Sequence, residues 1–98
     1  MARYMILWEM DTSRMPEDTK AKKAQWLGFQ DIVKKNVKEG VFKEWGQLAG
    51  GICGYCIFEG SAVELHTLTE QWIPYVKFKV GELLTIDEIN EATKALPE

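Results

Sequence analysis

The sequence predicts an α+β domain in which a small antiparallel sheet is covered by helices on one of its two faces. Three observations predict this class: apolar runs of strand length are interleaved with helical stripes, a Gly-Gly pair joins two of the runs, and two capping boxes mark helix starts. The chain has 98 residues, so we expect a single domain over residues 1–98.

The first forty residues predict one strand and one long helix. Residues 4–10 (YMILWEM) form a short run of large apolar side chains, typical of a buried strand. Pro16 suits a first helical turn, and Gly40 suits the residue that follows a helix. Between them lies an apolar stripe at near-helical spacing, formed by Trp26, Phe29, Val33 and Val37, with Ile32 beside it.

The middle of the chain predicts a β-hairpin. Residues 41–49 (VFKEWGQLA) and 52–59 (ICGYCIFE) flank Gly50-Gly51, a pair typical of a two-residue type I′ turn. Pairing outward from that turn divides the side chains between two faces. One face carries Trp45, Ala49, Cys56 and Phe58; the other carries Phe42, Glu44, Leu48, Cys53, Tyr55, Ile57 and Glu59.

The last third predicts a helix, a strand and a second short helix. Ser61 and Glu64 form a capping box at the start of a helix that Pro74 ends, and residues 75–80 (YVKFKV) alternate as a strand does. Thr85 and Glu88 form a second capping box, followed by the apolar residues Ile86, Ile89, Ala92 and Leu96. The resulting order, β-α-β-β-α-β-α, is that of a ferredoxin-like fold: a four-stranded antiparallel sheet with two helices on one face and an added C-terminal helix.

The Cys53-Gly54-Tyr55-Cys56 motif has the spacing of redox and zinc sites. On a strand, residues three apart point to opposite faces, so these two thiols cannot converge on a disulfide or a metal ion. His66 is the only histidine, and no second Cys or His pair completes a zinc site. We therefore expect two reduced, packed cysteines, no metal site and no cofactor.

Composition argues against nucleic acid and membrane as partners. The net charge is −3, no apolar run approaches a membrane span, and the N-terminus does not resemble a signal peptide, so we expect a cytoplasmic protein. Residues 54–59 imitate part of an RNA-recognition strand, yet Cys53, Ile57 and Gly60 replace its basic and aromatic positions. Six lysines between residues 20 and 38 form either a solvated helix face or a basic docking patch.

The sheet face without helices retains apolar residues, which predicts an interface. We expect it to carry Leu7 or Ile6, together with Phe42, Leu48, Tyr55, Ile57 and Tyr75. A second copy of the chain, packed sheet against sheet with two-fold symmetry, would cover this surface. The sequence therefore predicts a homodimer.

Three segments carry a family resemblance: MILWEMD, WGQLAGGICGYCIFEGS and WIPYVKFKV. They resemble a family of short, functionally uncharacterised prokaryotic proteins in the dimeric α/β-barrel superfamily. The resemblance implies ferredoxin-like protomers paired through their sheets, with a small organic ligand held between sheet and helices. Relatives in the superfamily include cofactor-independent monooxygenases, isomerases, haem-dependent enzymes and ligand-sensing domains, so the fold leaves the function open.

A few polar residues are candidates for chemistry at such a site. His66, Glu9 and Asp11 are the candidate acid-base groups, and Tyr55 and Lys77 are the candidate ligand-binding residues. A Glu9–Lys77 contact also fits a cross-strand ion pair, and His66 also fits an exposed helix position. The four tryptophans are expected in the core rather than in a ligand box. Two hypotheses follow: an enzyme of the oxygenase or isomerase kind that needs no cofactor, or a non-catalytic module for ligand sensing or assembly.

Overall fold

The protein is an α+β domain with a four-stranded antiparallel sheet and three α-helices, seen in a computed structural model that describes residues 2–97. The predicted domain range of 1–98 extends one residue beyond the described part at each end. Its elements are β1 (Arg3–Met10), a 3₁₀ turn (Thr12–Arg14), α1 (Thr19–Lys38), β2 (Phe42–Gln47), β3 (Cys53–Glu59), α2 (Ala62–Glu70), β4 (Val76–Leu83) and α3 (Ile86–Lys94).

The strands lie in the order β2-β3-β1-β4, and every neighbouring pair is antiparallel. This arrangement is compatible with a ferredoxin-like fold, and the predicted succession of elements is confirmed. None of the helices in residues 2–97 has the length and apolar character needed to span a membrane.

The buried core lies between the sheet and α2. It joins Ile6 of β1, Cys56 and Phe58 of β3, and Leu65 and Leu68 of α2, since all of these side chains belong to one packed cluster. Ile6 is therefore on the helix-covered face, and Leu7 is the residue of that pair left on the other face. Hydrophobic burial of this kind is the main force that holds α2 on the sheet.

The hairpin has the predicted pairing near its turn and a different pairing at its far end. Trp45 lies opposite Cys56 as predicted, but a bulge between Phe42 and Glu44 shifts the register beyond that point. As a result Phe42 lies opposite Phe58 and joins the core, so its predicted place on the uncovered face is wrong. An added residue in one strand reverses the face of every side chain beyond it.

The predicted two-residue type I′ turn is also wrong. The turn spans residues 48–51, with a hydrogen bond of 3.1 Å from the Gly51 amide to the Leu48 carbonyl oxygen. Gly50 alone of the two glycines has a positive φ, 78°, so the connection needs one left-handed residue rather than two.

Helix α1 begins later than Pro16 suggests. The Asp18 carboxylate accepts a hydrogen bond of 2.9 Å from the Ala21 amide and caps the helix, which leaves Pro16 in the preceding segment. Gly40 follows the helix with a φ of 77°, as predicted. Trp26, Phe29 and Val33 form the half-buried stripe, whereas the predicted members Ile32 and Val37 are exposed.

Helix α1 covers the sheet loosely. None of its 20 residues is buried, although Phe29 packs against Trp72 and Tyr75 with ring centroids 5.6 and 5.7 Å apart. Tyr75 precedes β4 and lies under α1, so its predicted place on the uncovered face is wrong. The gap beneath α1 is the feature on which the candidate site depends.

Both predicted capping boxes are present. Ser61 and Glu64 close the start of α2, and Thr85 and Glu88 close the start of α3. In each pair the backbone amide of one residue donates to the side-chain oxygen of the other, over 2.9–3.2 Å. The hydrogen bonds from Ser61 also lower the pKa of the Glu64 carboxyl.

Helix α3 then projects from the sheet, and the molecule measures 61 × 27 × 24 Å.

Candidate functional site

A cavity of about 140 Å³ lies between the sheet and α1. All four tryptophans of the chain line it: Trp8 from β1, Trp26 from α1, Trp45 from β2 and Trp72 from the turn after α2. Four different segments therefore contribute one large aromatic ring each. The expectation that these residues serve only as core is too narrow, because they also form the wall of an unfilled space.

Two of these tryptophans stack against each other in the cavity wall. The rings of Trp8 and Trp45 stack with their centroids 5.4 Å apart and their planes 13° apart. The Trp8 indole N–H donates a hydrogen bond of 3.4 Å to the Tyr55 carbonyl oxygen and so ties the stack to β3. A rigid, flat apolar surface of this kind favours contact with another planar ring.

Trp26 contributes an unpartnered polar group to the lining of this cavity, which also includes the amide side chains of Gln30 and Gln47. The Trp26 indole nitrogen is buried, and it has no hydrogen-bond partner among the described residues. The Lys22 ammonium lies 5.6 Å from the centroid of the same ring, one helical turn earlier on α1. A buried donor without a partner costs about 1–3 kcal/mol, so a ligand that accepts this N–H would recover that free energy.

The cavity wall has almost no titratable groups. Of the described residues that line it, Cys56 alone carries a titratable side chain. Burial raises the pKa of the Cys56 thiol to about 12, so the sulfur is a neutral thiol at physiological pH. The wall therefore favours neutral ligands over ions.

Three of the predicted site residues lie on the other face of the sheet. Glu9, Tyr55 and Lys77 border a shallow groove on this uncovered face, together with Met5, Leu7, Leu48, Cys53 and Lys79. Glu9 and Lys77 are direct cross-strand neighbours, as the sequence suggests. Their charged atoms do not form an ion pair within residues 2–97.

Tyr55 makes a specific contact on that uncovered face. Its hydroxyl donates a hydrogen bond of 2.6 Å to Oε1 of Glu44, which lies on the neighbouring strand β2. This hydrogen bond raises the pKa of the Tyr55 hydroxyl, because it stabilises the protonated form. Tyr55 is thus held in place on β3 but lies away from the cavity.

The two remaining candidates have local partners. His66 is exposed on α2, where its Nε2 lies 2.8 Å from Oε1 of Glu70 one helical turn later. Asp11 accepts hydrogen bonds from the hydroxyl and the amide of Ser13, at 2.7 and 3.0 Å, and these bonds lower the pKa of its carboxyl. The structure therefore does not pair His66 with Asp11, and neither residue lines the cavity.

The uncovered face keeps part of its predicted apolar surface. Leu7 is 47% exposed and Leu48 is 63% exposed, whereas Ile57 is only 5% exposed, so it is covered by its own neighbours.

Within residues 2–97, no group of three His, Cys, Asp or Glu side chains is placed to hold a metal ion.

The cavity lies between the sheet and a helix, and its lining includes none of the predicted site residues His66, Glu9, Asp11, Tyr55 and Lys77. The helical spacing of Trp26, Phe29 and Val33 correctly identifies which side of α1 faces the sheet. The missing partner of the Trp26 indole N–H depends on the tertiary arrangement of four segments, and no local pattern signals it. No family model matches the sequence, and no curated protein matches it.

Proposed function

We propose that the protein binds a small, neutral, largely apolar organic molecule in the tryptophan-lined cavity. The observation that carries this proposal is the buried indole N–H of Trp26, a residue that lines the cavity, which has no hydrogen-bond partner among the described residues. A volume of about 140 Å³ suits a molecule with one aromatic ring, since an apolar cavity of about 150 Å³ engineered in another protein binds benzene.

The chemistry of the wall narrows the class of ligand. Stacked indoles favour a planar ring, and the Trp26 N–H favours a ligand with one hydroxyl or carbonyl oxygen as acceptor. The neutral Cys56 thiol offers no charge to balance an ionised ligand. A phenol-like compound meets all three conditions.

Of the two hypotheses from the sequence, we favour the non-catalytic one, a ligand-binding or ligand-sensing module. Proton transfer would need an acid or base within hydrogen-bond reach of the ligand. Glu9, Asp11 and His66 all lie outside the cavity lining, which supports binding without chemistry. An oxygenase-like or isomerase-like activity remains the competing proposal.

We also propose that two ferredoxin-like protomers pair through their uncovered sheet faces as a dimeric α/β barrel. The exposed side chains of Leu7 and Leu48, with Met5 and Tyr55 between charged neighbours, support this interface. The cavity lies on the opposite side of the sheet, so this pairing leaves it accessible.

Titration with phenol and benzene, followed by the indole N–H resonances in NMR spectra, tests the ligand proposal. We expect both compounds to shift these resonances and phenol to bind about two- to tenfold more tightly, because only phenol accepts the Trp26 N–H. Trp26→Phe should abolish that preference. Trp72→Phe, the matched control, replaces an indole in the same wall by a phenyl ring and should weaken the binding of both compounds alike.

A second pair of variants tests where the ligand binds. Val33→Phe should fill the cavity and abolish the phenol shifts, whereas Ile32→Phe adds the same ring to the exposed neighbour and should leave them intact. The absence of any indole shift with either compound would contradict the proposal. Phenol recovered unchanged fits a binding module, and its conversion in air would favour the oxygenase alternative.

A further inference from the structure

We propose that Gln47 determines the specificity of the cavity, because its side-chain oxygen accepts a hydrogen bond from a second polar group on the ligand. This inference rests on the proposed function and narrows the ligand class to aromatic diols, single rings that carry two hydroxyl groups. One hydroxyl accepts the Trp26 indole N–H, and the other donates to Oε1 of Gln47.

The lining of the cavity changes from buried apolar residues to exposed amides. Phe42, Cys56 and Val76 line it and are 5%, 3% and 7% exposed. Gln30 of α1 and Gln47 of β2 also line it, and both are exposed. A ring that fills this space therefore has one edge among apolar side chains and another edge near the amides and solvent. A second hydroxyl is costly at the first edge and favourable at the second.

The Gln47 side chain is oriented by a hydrogen bond within its own turn. Its Nε2 donates a hydrogen bond of 2.9 Å to the carbonyl oxygen of Gly51, which also lines the cavity. A carbonyl oxygen can only accept, so the amide nitrogen rather than Oε1 is directed at Gly51. Oε1 is therefore the acceptor that this side chain offers to a ligand. Because the amide is already held, little rotamer freedom is lost when a ligand binds to it.

Strand geometry places Gln47 beside the stacked indoles. Trp45 and Gln47 are two residues apart on β2, so their side chains project from the same face, about 6–7 Å apart along the strand. Trp45 belongs to the stacked pair that favours contact with a planar ring. A substituted benzene ring in contact with the Trp45 indole is long enough to bring a hydroxyl beside Gln47.

The other amide in the lining, Gln30, is less suited to this role. Gln30 follows Trp26 by one helical turn and shares its side of α1. Within residues 2–97 its side chain has no hydrogen bond that corresponds to the one between Gln47 and Gly51. A ligand that bound to Gln30 would first have to immobilise a long, exposed side chain, which costs conformational entropy.

NMR titrations of the full chain, with air excluded, compare each of the three dihydroxybenzenes with its monomethyl ether. The ether keeps one hydroxyl but lacks the second donor, so we expect at least one diol to bind about two- to tenfold more tightly than its ether. Gln47→Met is similar in length but has no amide oxygen. It should remove this preference and leave the affinity for phenol unchanged, whereas Gln30→Met, the matched control, should keep the preference.

The side-chain amide resonances give a second measurement that needs no folded variant. Those of Gln47 should shift further with the preferred diol than with phenol, and those of Gln30 should not. If phenol binds but each diol binds no better than its ether, or if the preference survives in Gln47→Met or disappears in Gln30→Met, the role of Gln47 is wrong and the cavity proposal stands. If neither phenol nor any diol binds, the proposed function itself is wrong.

Discussion

At the scale of single residues, Cys56 shows how position along a strand decides the chemistry of a thiol. Its side chain joins the helix-covered core, whereas Cys53 borders the groove on the uncovered face, so the two residues of the CxxC motif lie on opposite sides of the sheet. The two-residue period of a strand predicts this separation from sequence alone. Burial then raises the pKa of Cys56 to about 12, which the sequence does not reveal.

We predict that a thiol reagent modifies Cys53 and spares Cys56 in the native protein near neutral pH. A thiol whose pKa is raised to about 12 is almost entirely protonated there, and the thiolate is the reactive species. Mass spectrometry after iodoacetamide treatment measures the result. Cys53→Ser should leave no reactive thiol until the chain is unfolded, whereas Cys56→Ala should label as the wild type does. Native labelling of Cys56 at the same rate as Cys53 would contradict this assignment.

At the scale of elements, the close approach of β2 and β3 depends on a glycine. A Cβ atom at Gly54 would collide with the carbonyl oxygen of Gly46 and would lie 2.7 Å from Cζ2 of Trp8. The Gly46 carbonyl group and the packed Trp8 indole cannot move away from such a Cβ atom without opening the hairpin. Gly28 in α1 is the opposite case, since nothing lies within 4 Å of the Cβ it would carry.

We predict opposite effects of alanine at these two glycines. Gly54→Ala should lower the free energy of unfolding by about 1–3 kcal/mol or more, because it overpacks the hairpin. Gly28→Ala should raise it by about 0.5–1 kcal/mol, because glycine is unfavourable inside a helix. Urea denaturation of both variants gives the comparison. An unchanged midpoint for Gly54→Ala would refute the close packing described for β3.

The elements also show how far sequence reasoning extends. Capping boxes depend on residues three apart, so Ser61–Glu64 and Thr85–Glu88 were predictable, as was the pairing of Trp45 with Cys56. The bulge beside Phe42 follows from how β2 is held against the core, and no local signal announces it. Similarly, the helical stripe of α1 was predictable, but the gap beneath it depends on how closely α1 approaches the sheet.

At the scale of the whole molecule, the C-terminal arm sets the overall dimensions. Without α3 the chain reduces to the sheet, α1 and α2, and its long axis would shorten from 61 Å. We predict that small-angle X-ray scattering of the monomer, measured at low protein concentration, gives a radius of gyration near 16.6 Å. Removal of residues 85–98 should lower this radius towards about 13 Å. A value near 13 Å for the monomer that keeps α3 would mean that the arm folds back on its own body.

The stacked pair of Trp8 and Trp45 has an optical consequence. Two indoles with centroids 5.4 Å apart are close enough for their electronic transitions to couple, and skewed transition moments then give paired positive and negative bands in circular dichroism. A ligand that enters the cavity touches this pair directly and would change the size of those bands. The protein therefore contains its own spectroscopic reporter of occupancy, and Trp45→Phe should silence that reporter while the other three indoles remain.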